Sequence, residues 1–100
     1  MKKYYVYILA GRNYGPLFIE MTANMTDRMK SHRAGHLTQT SFRIDQLVHV
    51  EIFDNAMDAD KRVQALKSSS REWVDALIER QNPDWTDLLT MAGQTRQRAA

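Results

Sequence analysis

Apolar and polar positions divide the chain into segments with different periodicities. Residues 4–9 have the sequence YYVYIL, a run of aromatic and β-branched side chains that is typical of a strand. Residues 10–16 contain two glycines, an asparagine and a proline, which predicts a hairpin turn. Residues 17–22, LFIEMT, are again mostly apolar, so we expect a second strand antiparallel to the first.

A helix is predicted directly after the second strand. Asn24 has the short polar side chain of an N-cap, and Asp27 follows three residues later, as in a capping box. The helix should end at Arg33 or Ala34, because Gly35 favours a C-terminal cap.

The next apolar segment predicts a third strand at residues 47–53, after a polar loop at 36–45. Alternate positions of this strand carry only branched aliphatic side chains, and we expect them to face the core: Val48, Val50 and Ile52. His49 and Glu51 lie on the opposite side, where His49 is expected to be solvated.

Two further helices are predicted after the third strand. Apolar side chains at helical spacing form a stripe within residues 55–67: Ala56, Ala59, Val63 and Leu66. Ser69 and Glu72 form a capping box that would start a third helix. We expect Trp73 and Leu77 on the buried face of that helix, with Val74 and Ile78 as further candidates.

Composition narrows the class of protein. The 100-residue length fits one domain, predicted at residues 1–91 with a polar tail at 92–100. An apolar content of 43% supports a globular core, and no apolar run is long enough to span a membrane. The absence of cysteine excludes disulfides and thiolate chemistry and suits the cytoplasm. A net charge of +2 permits nucleic-acid binding without arguing for it.

Several separated motifs resemble the GIY-YIG nuclease superfamily, in particular its small stand-alone bacterial branch. Tyr7, in the segment VYI, stands at the tyrosine of the GIY element. Phe18, in the segment FIE, stands eleven residues later at the tyrosine of the YIG element. Arg28 occupies the place of the family's arginine, and His32 follows one turn later. Residues 82–85, NPDW, resemble the end of that branch.

This resemblance implies an α+β fold, with a three-stranded antiparallel sheet flanked by helices. It also implies metal-dependent cleavage of DNA, with Mg²⁺ or Mn²⁺ held by a glutamate on the second main helix. In the family, the two tyrosines flank the attacking water and the arginine stabilises charge on the phosphate.

Three positions depart from the family pattern. Phe18 lacks the tyrosine hydroxyl, Glu20 replaces the glycine, and Val63 stands where the resemblance places the metal-binding glutamate. Valine cannot ligate a metal, and loss of one acid–base group costs about 10² to 10⁴ in rate. The two losses together favour an impaired or inactive nuclease. No cofactor is therefore expected, and Mg²⁺ or Mn²⁺ would be needed only by an active enzyme.

Three other positions agree with the family pattern. Tyr7 and Arg28 are the residues that the family has there, and His32 is of a type that the family often has at its position. Retained DNA binding is therefore one interpretation. A tyrosine such as Tyr7 is more often a core aromatic than a base, and Arg28 could equally be a solvated surface residue. The candidate DNA-binding residues are the cations of the first helix: Arg28, Lys30 and Arg33.

Glu20 leaves other interpretations open. Its carboxylate could replace the lost metal ligand in an active or weakly active endonuclease, or it could pair with Arg28 or remain solvated. A protein-interaction module without nucleic-acid binding is the third interpretation. Further basic residues that could meet nucleic acid are scattered along the chain and define no single patch in the sequence: Arg12, Arg43, Lys61, Arg62, Lys67 and Arg71.

Overall fold

A computed structural model describes residues 2–11, 15–33 and 46–88, without the side chains of residues 31–33. The elements follow in the order β1 (Tyr4–Ala10), β2 (Leu17–Thr22), α1 (Met25–Arg33), β3 (Gln46–Phe53), α2 (Ala56–Ser68) and α3 (Arg71–Gln81). The predicted α+β fold with a three-stranded antiparallel sheet is confirmed. Four sequence predictions lie outside the described residues: the centre of the hairpin turn, the helix stop at Gly35, the loop at 36–45 and the tail at 92–100.

The sheet has the order β2-β1-β3, and both neighbouring pairs are antiparallel. Strand β1 is therefore central, and its residues 6–10 are fully buried. Residues directly opposite each other in an antiparallel pair share a face. Glu20 lies opposite Tyr7, and Phe18 lies opposite Leu9, so these four residues start from the same face of the sheet.

Each face of the sheet carries its own hydrophobic cluster. The first face, here the α2/α3 face, packs Val6, Ile8 and Val48 against side chains of the two C-terminal helices. The second face, here the α1 face, packs Tyr7 and Leu9 against Met29 of α1, with Phe18 and Met25 at the margin. Helices on both faces explain why β1 lacks the apolar and polar alternation of a half-exposed strand.

Strand β3 does not have the single apolar side that its sequence predicted. A register shift in its pairing with β1, between Ile8 and Leu9, changes which β3 residues share a face. Val48 consequently lies in the α2/α3 cluster, whereas Val50 packs against the α1 cluster. Ile52 is 62% exposed and His49 only 3% exposed. The predictions of an inward Ile52 and a solvated His49 were therefore wrong.

The predicted cap of α1 is confirmed. The Asp27 backbone N–H donates to Asn24 Oδ1 over 3.1 Å, and Asn24 Nδ2 donates to Asp27 Oδ2 over 3.0 Å. Helix α3 instead begins one residue later than predicted, because Ser70 Oγ accepts from the Trp73 backbone N–H over 3.1 Å. Ser69 caps the end of α2, where its N–H donates to the Leu66 carbonyl. None of the helices in the described ranges has the length and apolar character needed to cross a membrane.

Residues 82–88 cover the outer edge of β3. Asn82 Nδ2 donates to the Val48 carbonyl over 3.1 Å, which ties the end of α3 to the strand. Trp85 is fully buried in the α2/α3 cluster, and Leu88 packs against the α1 cluster. The segment therefore passes around the edge of β3 from one face of the sheet to the other. Strand β2, at the opposite edge of the described sheet, pairs only with β1.

Trp73 does not belong to the buried face of α3. Val74 and Ile78 are the buried residues of that helix, whereas Trp73 is 45% exposed. The Arg62 guanidinium lies 5.7 Å from the centre of the Trp73 ring, within the range of a cation–π contact. The expectation of a buried Trp73 was therefore wrong.

We expect Trp73→Ala to lower the free energy of unfolding by about 0.5 to 1 kcal/mol, because an exposed cation–π contact is worth about that much. Urea denaturation monitored by far-UV circular dichroism would measure the change. Trp73→Phe, which keeps an aromatic ring for Arg62, is the control and should lose less. A loss above about 3 kcal/mol would instead indicate a core position.

Candidate functional site

Three of the family positions meet on the α1 face. Tyr7 projects from the central strand, and its ring centroid lies 6.4 Å from that of Phe18. Arg28, near the start of α1, lies close enough to the Tyr7 hydroxyl for its side chain and charge to act on that group. The hairpin register and the capped start of α1 therefore bring together one aromatic pair and one guanidinium.

Burial raises the pKa of the Tyr7 hydroxyl, and the negative charge of Glu20 adds to this effect. The charge and hydrogen bond of Arg28 act in the opposite direction but do not cancel it. Tyr7 is therefore protonated at neutral pH. In this state its hydroxyl can orient Arg28 or a bound oxygen, but it is a poor acceptor for a proton from water.

Glu20 pairs with Lys67 of α2. Glu20 Oε2 lies 2.8 Å from Lys67 Nζ, and the described residues include no hydrogen bond or ion pair between Glu20 and Arg28. The register directs Glu20 to the α1 face, whereas α2 packs on the other face. Because β2 is an edge strand, the Glu20 side chain can reach around it to Lys67. The sequence allowed an ion pair between Glu20 and Arg28. In the structure Glu20 forms its ion pair with Lys67 instead.

A groove with a volume of about 480 Å³ lies between β2 and the junction of α2 and α3. Apolar side chains line much of it, and Glu20 and Lys67 contribute a charged pair. A second cation, Arg71, lines the same groove and has internal partners. It donates to the Gly15 carbonyl over 2.6 Å and to Asp75 over 2.7 Å. Both cations of the groove therefore have partners within the protein: Lys67 pairs with Glu20, and Arg71 binds Asp75 and the Gly15 carbonyl.

Val63 lies in the hydrophobic core. It is 2% exposed and packs with Ala59 and Leu66 in the α2/α3 cluster, which confirms three of the four residues of the predicted apolar stripe. The fourth, Ala56, is exposed. A hard divalent cation prefers carboxylate oxygens. Glu20, the nearest acid to Tyr7 in the β1–β2 register, is bound to an ammonium group. No group of three or more metal-binding side chains occurs among the described residues. The described side chains at the family positions, Tyr7, Phe18, Arg28 and Val63, therefore do not fit Mg²⁺ or Mn²⁺.

Helix α1 carries the remaining candidate residues. Lys30 is exposed on it, one turn before the helix ends at Arg33. The side chains of His32 and Arg33 lie outside the described part of the structure. Arg28 is half-buried, and its contact with Tyr7 distinguishes it from a freely solvated surface arginine.

The sequence predictions missed a partly buried charge network on the α2/α3 face. His49 Nε2 lies 2.8 Å from Glu51 Oε2, and Arg62 donates to both oxygens of Glu51, over 2.7 and 2.9 Å. The hydrogen bond with His49, followed by those from Arg62, holds the pKa of Glu51 down at about 2 against the effect of burial. Glu51 in turn raises the pKa of Arg62. Because Tyr7 lies on the other face, we assign this network to the scaffold.

Comparison with known proteins gives one structural relative and no sequence family. No protein-family model matches the chain, and no curated protein matches it. The solution NMR structure of the UPF0213 protein from Bacillus halodurans is similar, with a TM-score of 0.51 and 25% sequence identity. The match covers 80% of this chain and 86% of that protein. This similarity supports the GIY-YIG-like superfamily and a nuclease-like domain.

Proposed function

We propose that this chain is a GIY-YIG-like domain in which DNA cleavage is impaired or lost and binding to DNA phosphates is retained through Arg28. The observation that carries the proposal is the contrast between two family positions. Val63 is packed in the core, where it offers no metal ligand, whereas Arg28 remains beside Tyr7. The arrangement keeps a phosphate-binding group and lacks the group that would activate water.

Arg28 has the chemistry that a phosphate contact needs. A guanidinium can donate two parallel hydrogen bonds to phosphate oxygens. If the arginine side chain is already oriented before DNA binds, it loses less conformational entropy on binding. The half-buried position of Arg28 beside the Tyr7 hydroxyl supplies such orientation. Lys30, exposed on the same helix, adds positive charge that would attract the DNA backbone.

A plasmid assay tests the loss of cleavage. Supercoiled plasmid incubated with the protein and Mg²⁺ or Mn²⁺ should be nicked no faster than plasmid with the metal alone. Nicking that disappears in Glu20→Ala and persists in Glu72→Ala would overturn the proposal. It would favour instead an active endonuclease that uses Glu20 as a relocated metal ligand.

Arg28→Ala should weaken DNA binding about 10- to 100-fold, because a hydrogen-bonded charged contact is worth about 1.5 to 3 kcal/mol. Fluorescence anisotropy with labelled single-stranded and branched DNA over a salt series would measure the change. The slope of log K against log salt should fall by about 0.7 to 0.9, the value for one phosphate contact.

The matched control is Arg80→Ala, which removes an exposed arginine without a partner among the described residues. It should weaken binding much less than Arg28→Ala. Equal effects of the two variants would contradict a specific role for Arg28. Failure of the wild-type protein to bind DNA at low salt would leave the protein-interaction module.

A further inference from the structure

We infer that Lys67 is a second phosphate-binding residue and that Glu20 neutralises it in the free protein, so that this ion pair limits the affinity for DNA. The inference rests on the proposed function and deepens it. It singles out a binding residue on α2. The sequence placed Lys67 only among the scattered basic residues and not among the candidate DNA-binding cations of α1.

The first argument is the position of the pair. Glu20 and Lys67 line the groove beside β2, and β2 is the edge strand of the described sheet. Arg28 contacts Tyr7 on the α1 face, whereas Lys67 belongs to α2 on the opposite face. Cations from two helices therefore lie on either side of one edge strand, whose residues 17–21 are partly exposed. A DNA backbone that follows β2 would meet both.

The second argument is how easily each cation can exchange its partner. The side chains of Glu20 and Lys67 are 37% and 43% exposed, and exposed ion pairs contribute little to stability. A phosphate can therefore take the place of the Glu20 carboxylate at Lys67 with little loss. Arg71 is held by both Asp75 and the Gly15 carbonyl, so it is less easily released.

The third argument is the charge that remains after exchange. Once a phosphate occupies Lys67, the Glu20 carboxylate lies nearby without its cation, and the two negative charges repel each other. Glu20 thus opposes binding twice, by occupying Lys67 and by repelling the phosphate. A neutral side chain at position 20 should remove both effects while leaving the fold intact.

Glu20→Gln should therefore bind DNA about two- to fivefold more tightly than the wild-type protein at low salt, the factor expected from an exposed ion pair. The slope of log K against log salt should become steeper by about 0.7 to 0.9, the increment for one added phosphate contact. Anisotropy titrations with labelled single-stranded and branched DNA would measure both quantities.

A double-mutant comparison separates release of Lys67 from a general change in net charge. In the Lys67→Ala background, Glu20→Gln should lose most of its gain. Glu72→Gln is the charge control, because Glu72 is exposed, does not line the groove and has no ion pair among the described residues. The inference is overturned if Glu20→Gln gains no more than Glu72→Gln, or if its full gain persists without Lys67.

The outcomes also separate this inference from the proposed function. If the wild-type protein binds DNA through Arg28 but Glu20→Gln gains nothing, the proposed function stands and the role of the ion pair is overturned. If neither protein binds, both are overturned. If the Glu20→Gln variant binds DNA, the wild-type protein does not, and Lys67→Ala added to the variant abolishes its binding, then Glu20 neutralises Lys67 completely in the wild-type protein. Lys67→Gln repeats the test should Lys67→Ala fail to fold.

Discussion

Val63→Glu should lower the free energy of unfolding by about 3 to 5 kcal/mol at pH 7, because it places a carboxylate without a partner in the core. Val63 is almost completely buried among apolar side chains such as Ala59 and Leu66. A typical domain is stable by only about 5 to 15 kcal/mol, so this single change would leave little stability. Urea denaturation of the variant and the wild-type protein would measure the difference.

Val63→Gln is the control, since it introduces a polar side chain of similar size without a charge. Burial raises the pKa of a carboxyl group, so the penalty for the glutamate should grow as pH rises above about 4.3 and shrink below it. The penalty for Val63→Gln should not depend on pH. A nearly neutral effect of Val63→Glu at pH 7 would show that position 63 opens to the groove and would revive the metal-site interpretation.

The same substitution can be combined with changes at the two other degenerate positions. Glu20→Gly would release Lys67, which follows Val63 by one helical turn and could then pair with the new carboxylate. We expect Val63→Glu to be less destabilising in that background. With Phe18→Tyr added, the three family groups are present again, and Mg²⁺-dependent nicking of supercoiled plasmid should rise above background. Continued inactivity would show that the cleft itself differs from that of the nucleases.

Acidification should remove about 2 to 3 kcal/mol of stability through Glu51 alone, because its pKa is about 2 in the folded protein against a usual 4.5. Because the pKa of Glu51 is lower in the folded protein, the carboxylate is protonated in the unfolded chain at a higher pH than in the folded protein. The contribution of Glu51 is therefore complete above about pH 4.5 and is lost between about pH 4.5 and 2. Urea denaturation at a series of pH values would measure the loss.

The variant Glu51→Gln measures how much of the stability lost on acidification comes from Glu51. At pH 7 the variant should be less stable by about 2 kcal/mol, since Arg62 loses its charged partner. Near pH 2.5 most of that difference should vanish, because Glu51 of the wild-type protein is then partly protonated in the folded state and almost fully protonated in the unfolded chain. Asp60→Asn, at an exposed acid of α2, is the control and should change stability little at either pH. A difference that does not depend on pH would contradict the role assigned to the Glu51 charge.

The sequence was most informative where a feature depends on neighbours within a few residues. The capped start of α1 followed from Asn24 and Asp27, whose contact spans three residues. The packing of Val63 followed from an apolar stripe with helical spacing. Predictions failed where distant segments decide the outcome. Trp73 was expected on the buried face of α3, whereas the helix buries the neighbouring face that carries Val74 and Ile78.

Strand β3 shows why burial could not be predicted from alternation alone. The irregular pairing between β1 and β3 changes the face to which each β3 side chain points, and the strand's own sequence does not reveal it. His49 was therefore expected in solvent, although it lies buried beside Glu51. Arg62, eleven residues beyond Glu51, completes that network only after α2 packs on the sheet.

The sequence by itself determined the order of strands and helices and the positions of Tyr7, Arg28 and Val63, because periodicity, capping and motif spacing are local properties. Only the tertiary structure decided the partner of Glu20. Lys67 lies 47 residues further along the chain, and the pair forms because β2 is an edge strand beside the end of α2. A choice of this kind depends on which charges the folded chain brings within a few ångströms, since Coulomb attraction depends on distance in space rather than along the sequence.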